Sequence, residues 1–299
     1  MSEPRTPRTD PTDRADGDRA DAPRAAGGTS AAGAPAGGPI ASVSGVGTVP
    51  DADVPGSGWV ALVGGGPGEP GLLTLRAVQL LARADVVVVD RLAPRDVLAE
   101  LAPGAEVIDV GKRPGLHLVP QDDIDALLVE RARAGQRVVR LKGGDPYVLG
   151  RGGEEAAACR AAGVTVEVVP GVTSAVSVPA AAGIPVTHRG LARGFSVVTA
   201  HEDLVETVPA RRDHTLVLLM GVSHLERSVS ILLAGGADPE TPAAVIERGY
   251  RDDQRVTTTL LRCLPDVAKQ VGVTAPAVIV IGDVVTVSPA WGSRTVPHP

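Results

Sequence analysis

The sequence predicts an α/β protein of two domains, each an open mixed sheet flanked by helices, with a cleft between them. Short apolar runs of buried-strand length alternate with amphipathic stretches of helical period from about residue 59 onward. The runs end in loops dense in glycine, proline and charge, the place where open α/β sheets bind ligands. The alternation is interrupted at 183–194 (GIPVTHRGLARG), which reads as a hinge, and then resumes.

Composition narrows the function. A chain of 299 residues has room for roughly two domains and a large core. A net charge of −6 argues against a surface that coats nucleic acid. Cys159 and Cys263 are the only cysteines, which excludes a disulfide scaffold or zinc knuckle and fits a reducing cytoplasm. None of the six histidines has metal-ligand spacing, so no metal is expected. No apolar run approaches the roughly 20 residues a membrane span requires.

The predicted boundaries are a disordered tail at 1–57, domains at 58–188 and 189–291, and a short tail at 292–299. The first tail sets five arginines against eight acids, is otherwise mostly Ala, Gly, Pro, Ser and Thr, and shows no apolar period. It cannot offset its ordering entropy by burial, and residues 1–55 are expected to be dispensable for turnover.

Trp59 to Val63 reads as the first strand and 64–71 as its loop. Gly66, Gly68 and Gly71 match the G-x-G-x-x-G spacing of a dinucleotide site. Pro67 and Pro70 weaken that match by deleting two backbone donors. Thr74 looks like a helix N-cap, with Leu75, Val78 and Leu81 on one face. Strands follow at 85–89, ending at Asp90, and at 106–110, ending in 111–115. A helix at 120–134 carries Ile124, Leu127, Leu128 and Arg131 at helical spacing. A strand at 165–169 and the loop 170–174 lead into a small-residue helix reaching Ala182. Beyond the hinge, strands are expected at 196–199, 216–220, 243–247, 255–259 and 277–281, with helices at 223–234 and 264–271.

The densest stretch is 137–155, RVVRLKGGDPYVLGRGGEE. Val138, Val139 and Leu141 make a buried strand; the glycines that follow make a loop; Glu154 and Glu155 open a helix. Lys142, Asp145, Arg151 and Glu154 crowd that turn. The chain holds 26 arginines but only Lys112, Lys142 and Lys269, and the first two of these lie in glycine loops at strand ends. Lysine can lose a proton when desolvated, whereas arginine cannot.

The segments VGGGPGEPGLLTLRAVQLLARADVVVVDRL, VGKRPG, RLKGGDPYVLGRGGEE, VVPGVTSAVSVPAAAGIPVTHRG, LLMG and ERGY resemble the uroporphyrinogen-III C-methyltransferases of the tetrapyrrole methylase superfamily, over roughly 59–291. The resemblance implies a tetrapyrrole-methylase-like fold and transfer of two methyl groups from S-adenosyl-L-methionine to C2 and C7 of uroporphyrinogen III. The products would be precorrin-2, at the branch to sirohaem and cobalamin, and S-adenosyl-L-homocysteine. It also implies a cytoplasmic homodimer.

By the same resemblance, Pro67, Gly143, Gly144, Asp145, Val148, Thr173, Ser174, Met220 and Gly249 would contact the methyl donor. Asp90 and Lys112 match positions of proton acceptor and donor. Arg151, Glu154 and Arg189 match positions linked to substrate binding or base chemistry; Arg151 is assigned to catalysis and the other two to substrate binding, where Arg113 adds a further cation by its own chemistry. Ser174 and Val148 stand where Ala and Ile are commoner, and Arg248-Gly249-Tyr250 replaces the usual Asn-Gly-Thr.

The residues suit that chemistry, since a polycarboxylate macrocycle needs fixed cations and arginine forks match carboxylates. Arg113, Arg151, Arg189 and Arg193 are available. Blander roles stay open: Asp90 as a cap on its turn, Lys112 and Arg113 as a solvated pair, Glu154 as a first-turn acid. So do two other functions, a nicotinamide dehydrogenase built on G-x-G-x-x-G and Asp90, and a ligand-binding relative without catalysis.

Overall fold

The computed structural model describes residues 57–111, 119–200 and 211–292. Lys112 and Arg113 lie outside the described residues, as do all but Ser57 of the expected first tail and all but Gly292 of the second.

The first half is a five-stranded sheet in the order β3-β2-β4-β1-β5, with β1 Trp59–Gly64, β2 Val86–Val89, β3 Glu106–Asp109, β4 Arg137–Lys142 and β5 Thr165–Val169. Every pairing is parallel. Mixed pairing was expected in both sheets, but here each strand is followed by a helical crossover, which returns the chain in the same direction. α1 (Leu75–Leu81) and α2 (Leu98–Leu101) pack on one face; α3 (Gln121–Arg133) and α4 (Gly152–Ala161) pack on the other. The four valines of β2 are wholly buried between these layers, and each contributes on the order of 2 kcal/mol by leaving water. The β1→β2 and β4→β5 connections run in opposite directions along the sheet. Each passes over the other's strand, on opposite faces of the sheet, so the loops that leave the neighbouring strands β4 and β1 lie side by side at its carboxyl end, where open sheets bind ligands.

The second half is a mixed sheet in the order β6-β7-β10-β8-β9: β6 Phe195–Thr199, β7 Thr215–Leu219, β8 Pro242–Glu247, β9 Arg255–Leu260 and β10 Ala277–Ile281. β6 and β7 are parallel, and the other pairs antiparallel. α6 (Leu225–Ala234) and α7 (Leu264–Gln270) cover one face. The other face receives α5 (Ser174–Ala181), whose Ala175 and Val178 join Ile246, Val278 and Val280 in one core. The sequence places α5 with the first half by position, yet its apolar side chains pack on the second sheet. Both sheets fall within one compact unit.

Two elements differ from expectation. α2 is a single turn, too short to show a helical period. Lys142 is the last residue of β4 rather than a loop residue, and is only 4% exposed.

Candidate active site

Three loops at the carboxyl ends of β1, β4 and β5 are knitted together by backbone. Gly66 donates to the Gly144 carbonyl at 3.1 Å, Gly144 donates back at 2.7 Å, and Gly65 donates to the Lys142 carbonyl at 2.7 Å. The β5 loop enters the same seam at Gly171, where a methyl group would lie 2.2 Å from the Gly144 carbonyl oxygen and 2.6 Å from the Gly64 Cα. Only glycine permits that approach. Asp145 fastens the seam: its Oδ2 accepts from the Gly171 N–H at 3.0 Å and its Oδ1 from the Tyr147 N–H at 2.8 Å. Val148, half-buried, donates its N–H to the Asp145 carbonyl at 3.3 Å.

The G-x-G-x-x-G spacing does not make a phosphate cradle here. Gly66 is spent on the bridge to Gly144, Pro70–Leu72 form a 3-10 turn, and α1 begins only at Leu75, capped by the Thr74 hydroxyl.

α5 joins this seam to the second sheet. A methyl group on Gly144 would sit 3.7 Å from the Ser174 nitrogen and 3.9 Å from the Thr173 Cα, at the start of the helix. One turn on, the Val178 side chain lies against Gly249, where a methyl group would meet both Val178 γ-carbons at 2.8 Å. Next to Pro67, Gly68 faces the guanidinium of Arg251, 3.9 Å from an added methyl. Met220 follows β7 and Gly249 follows β8; these strands are parallel to one another and separated by β10, so both residues emerge at the same end of the sheet.

Backbone strain gathers in the same loops. Leu149, Arg151, Met220, Arg248 and Tyr250 are the non-glycine residues with positive φ among those described, at 54°, 58°, 57°, 48° and 66°. Such conformations cost of order 1 kcal/mol or more each and cluster where ligands are gripped. Glu247, fully buried, steadies the turn that holds Arg248 and Tyr250, accepting from Arg248 Nη1 at 3.1 Å, Arg255 Nη2 at 2.9 Å and the Thr274 N–H at 2.9 Å. Burial alone would raise the Glu247 pKa, but these donors outweigh it and hold the carboxyl below its usual range.

The charged residues divide into exposed and buried sets. Arg151 is the N-terminal cap residue of α4 and forks onto Glu154, Nε–Oε1 2.9 Å and Nη2–Oε2 2.6 Å, with both side chains more than half exposed. Asp90 closes the turn after β2, its Oδ1 accepting from Leu92 and Ala93 N–H groups, both at 3.1 Å. Its Oδ2 lies 3.6 Å from Arg140 Nη2. Arg140 and Lys142, both buried, converge on Glu155 Oε1 at 3.1 and 3.0 Å. Arg189 occupies the exposed tip of a separate turn closed by reciprocal backbone bonds between His188 and Ala192. Among the described residues no cluster of three or more His, Cys, Asp or Glu is placed to hold a metal ion. No helix among them is long and apolar enough to cross a membrane.

Residues 60–265 match the family of tetrapyrrole (corrin/porphyrin) methylases. The chain belongs to that family. This methylase is 48% identical over 245 residues to an S-adenosyl-L-methionine-dependent uroporphyrinogen III methyltransferase of Methanosarcina barkeri, covering 79% of this chain and 96% of that protein. It is 48% identical over 234 residues to a siroheme synthase of Gluconacetobacter diazotrophicus, and there spans 50% of the relative's length. A uroporphyrin-III C-methyltransferase from Thermus thermophilus, solved in complex with S-adenosylhomocysteine, superposes with a TM-score of 0.67 at 44% identity, over 77% of this chain and 94% of that one.

The fold thus brings Gly143, Gly144, Asp145, Thr173 and Ser174 together, links them through Val178 to Gly249, and sets Pro67 beside Gly68 on the same seam. Sequence reasoning passed over Arg140 and Glu155. The signal was there, since a charge in the middle of the apolar run 138–141 has to find a buried partner. It also passed over Leu149, whose positive φ nothing in its own residue type announces.

Proposed function

We propose that this methylase transfers methyl groups from S-adenosyl-L-methionine to uroporphyrinogen III, at C2 and C7, to give precorrin-2. The observation that carries the reading is the three-loop seam of β1, β4 and β5, joined through α5 to Gly249, in a member of this family. The seam offers no phosphate cradle, which disfavours a dinucleotide and suits a nucleoside sulfonium, a ligand without phosphate. Pro67, Gly143, Gly144, Asp145, Val148, Thr173, Ser174, Met220 and Gly249 would hold the donor. When bound, it supplies an electrophilic methyl group on a good leaving group.

The residues of the chain then align, neutralise and accept a proton. Arg151, Arg189 and Arg113 would pair with substrate carboxylates, and Glu154 would aim Arg151. Asp90, through the oxygen that accepts no backbone bond, would take the proton that leaves the methylated ring carbon, and Lys112 would return one. We read 58–188 and 189–291 as the two lobes of the site, and expect a homodimer in the cytoplasm.

Incubation with uroporphyrinogen III and isotopically labelled S-adenosylmethionine tests the activity. A product heavier by two labelled methyl groups is expected; unchanged substrate mass, with donor binding intact by calorimetry, refutes the substrate assignment.

A further inference from the structure

Four ionisable groups from three elements meet beneath the glycine seam. Glu155, from α4, is fully buried. Its Oε1 accepts from Arg140 Nε at 3.1 Å, Lys142 Nζ at 3.0 Å and Gln121 Nε2 at 3.4 Å. Its Oε2 is buried with no hydrogen-bond partner among the described residues. Arg140 reaches past Glu155: Nη1 donates to the Val88 carbonyl at 3.3 Å and to its neighbour Leu141 at 3.4 Å, while Nη2 faces Asp90 Oδ2 at 3.6 Å. Two cations therefore face two carboxylates, and of the four only Asp90 opens to solvent, with its side chain 30% exposed.

Stability explains this cluster poorly. A buried ion network is often no better for stability than well-packed apolar side chains, and an orphaned carboxylate oxygen is costly. The geometry, however, suits one task. Backbone donors from Leu92 and Ala93 fix Asp90 Oδ1, so the carboxylate can turn only by carrying Oδ2 away from Arg140. Glu155 in turn fixes Arg140 along Nε. Burial, and next the neighbouring Arg140, push the Lys142 pKa down, marking it as the weaker cation of the pair.

We propose that Arg140 is a positioning residue that, braced by Glu155, aims the second carboxylate oxygen of Asp90 at the substrate, with Lys142 as the second cation that holds Glu155 in place. This rests on Asp90 acting as the proton acceptor. Arg140 touches neither ligand in this scheme and acts only through Asp90.

Two double variants with the same charge separate this role from a structural one. Glu155→Gln with Lys142→Met removes one charge of each sign and leaves Arg140 facing Asp90; Glu155→Gln with Arg140→Met removes the same charges but strips Asp90 of its partner. The first should hold kcat within roughly threefold of wild type, about the worth of one neutral hydrogen bond, because the amide oxygen introduced by Glu155→Gln still accepts from Arg140 Nε and Arg140 still faces Asp90. The second should lose roughly tenfold or more in kcat, the scale of a disturbed proton-transfer group, with KM for S-adenosylmethionine unchanged. Equal kcat in the two doubles, or a loss in the second that falls on donor KM instead, overturns the proposal. If either double fails to fold, the single variant Arg140→Lys decides: it keeps the charge but not the reach, so an unaltered kcat overturns the role and a tenfold loss supports it. Asp90→Asn is the separate control. Should it retain turnover, the reading of Asp90 itself has failed; should it abolish turnover while the doubles agree, only the inference about Arg140 has.

Discussion

Arg151 and Glu154 hold each other in a two-pronged ion pair at 2.9 and 2.6 Å while 57% and 54% of their side chains stay exposed. The pair crosses the first turn of α4 from a left-handed cap residue, so neither side chain is anchored by packing. An exposed pair of this kind contributes little to folding, because water screens it. With so little structural work to do, the pair leaves the proposed role of Arg151 in substrate binding open to a clean test.

Arg151→Ala should therefore leave the melting temperature nearly unchanged and lose turnover far more than donor affinity. Steady-state kinetics beside calorimetric titration of S-adenosylmethionine measures both; equal loss of the two would sink the assigned role. The same variant should raise the Glu154 pKa, because the bonds from Arg151 are the chief cause of its depression. An NMR pH titration of that carboxyl should show its midpoint rising to the ordinary glutamate range.

Asp145 should tolerate no neutral stand-in. Both of its oxygens accept from backbone N–H groups, so in Asp145→Asn the amide nitrogen must face a donor. Losing one charge-assisted bond costs about 1.5–3 kcal/mol. The loss should appear in urea unfolding, together with weaker donor binding, because the β4 and β5 loops part.

Gly249→Ala should weaken donor binding by pressing its new methyl on Val178, whose γ-carbons would lie at 2.8 Å. Overpacking of this kind typically costs about 1–3 kcal/mol. Adding Val178→Ala should restore much of the affinity. Recovery by calorimetry would locate the fault at that contact; no recovery would place it in the backbone of the Arg248-Gly249-Tyr250 turn.

Glu247 sets an acid limit on folding. Its folded pKa lies below the ordinary value, so its contribution is complete above the unfolded value of about 4.3 and is lost as the pH falls through the folded pKa. Melting temperatures should fall below about pH 4 in the wild type. In Glu247→Gln they should start lower and show a flatter acid slope. A parallel acid slope in the two proteins would assign that limit to other carboxylates.

The first sheet was largely legible because parallel strands buried on both faces read as unbroken apolar runs, and 59–63, 137–142 and 165–169 lie close to where those runs predict. The N-cap at Thr74 was legible for a local reason, a hydroxyl one residue before a helical period. α2 escaped because four residues carry no period. The parallel pairing of the whole first sheet escaped because pairing direction is set by crossovers, which no single strand encodes.

What the sequence by itself determined is the set of candidate loops, since glycine and proline mark strand ends through purely local backbone rules. Only the tertiary structure decided how those loops are joined. It made Asp145 a strut between two loops, gave α5 to the second sheet while its first residues touch the Gly144 loop, and sank Arg140, Lys142 and Glu155 into one cluster under Asp90. The physical reason is range. Backbone preference acts over a few residues, but a buried charge can be satisfied only by a partner that folding brings from elsewhere in the chain.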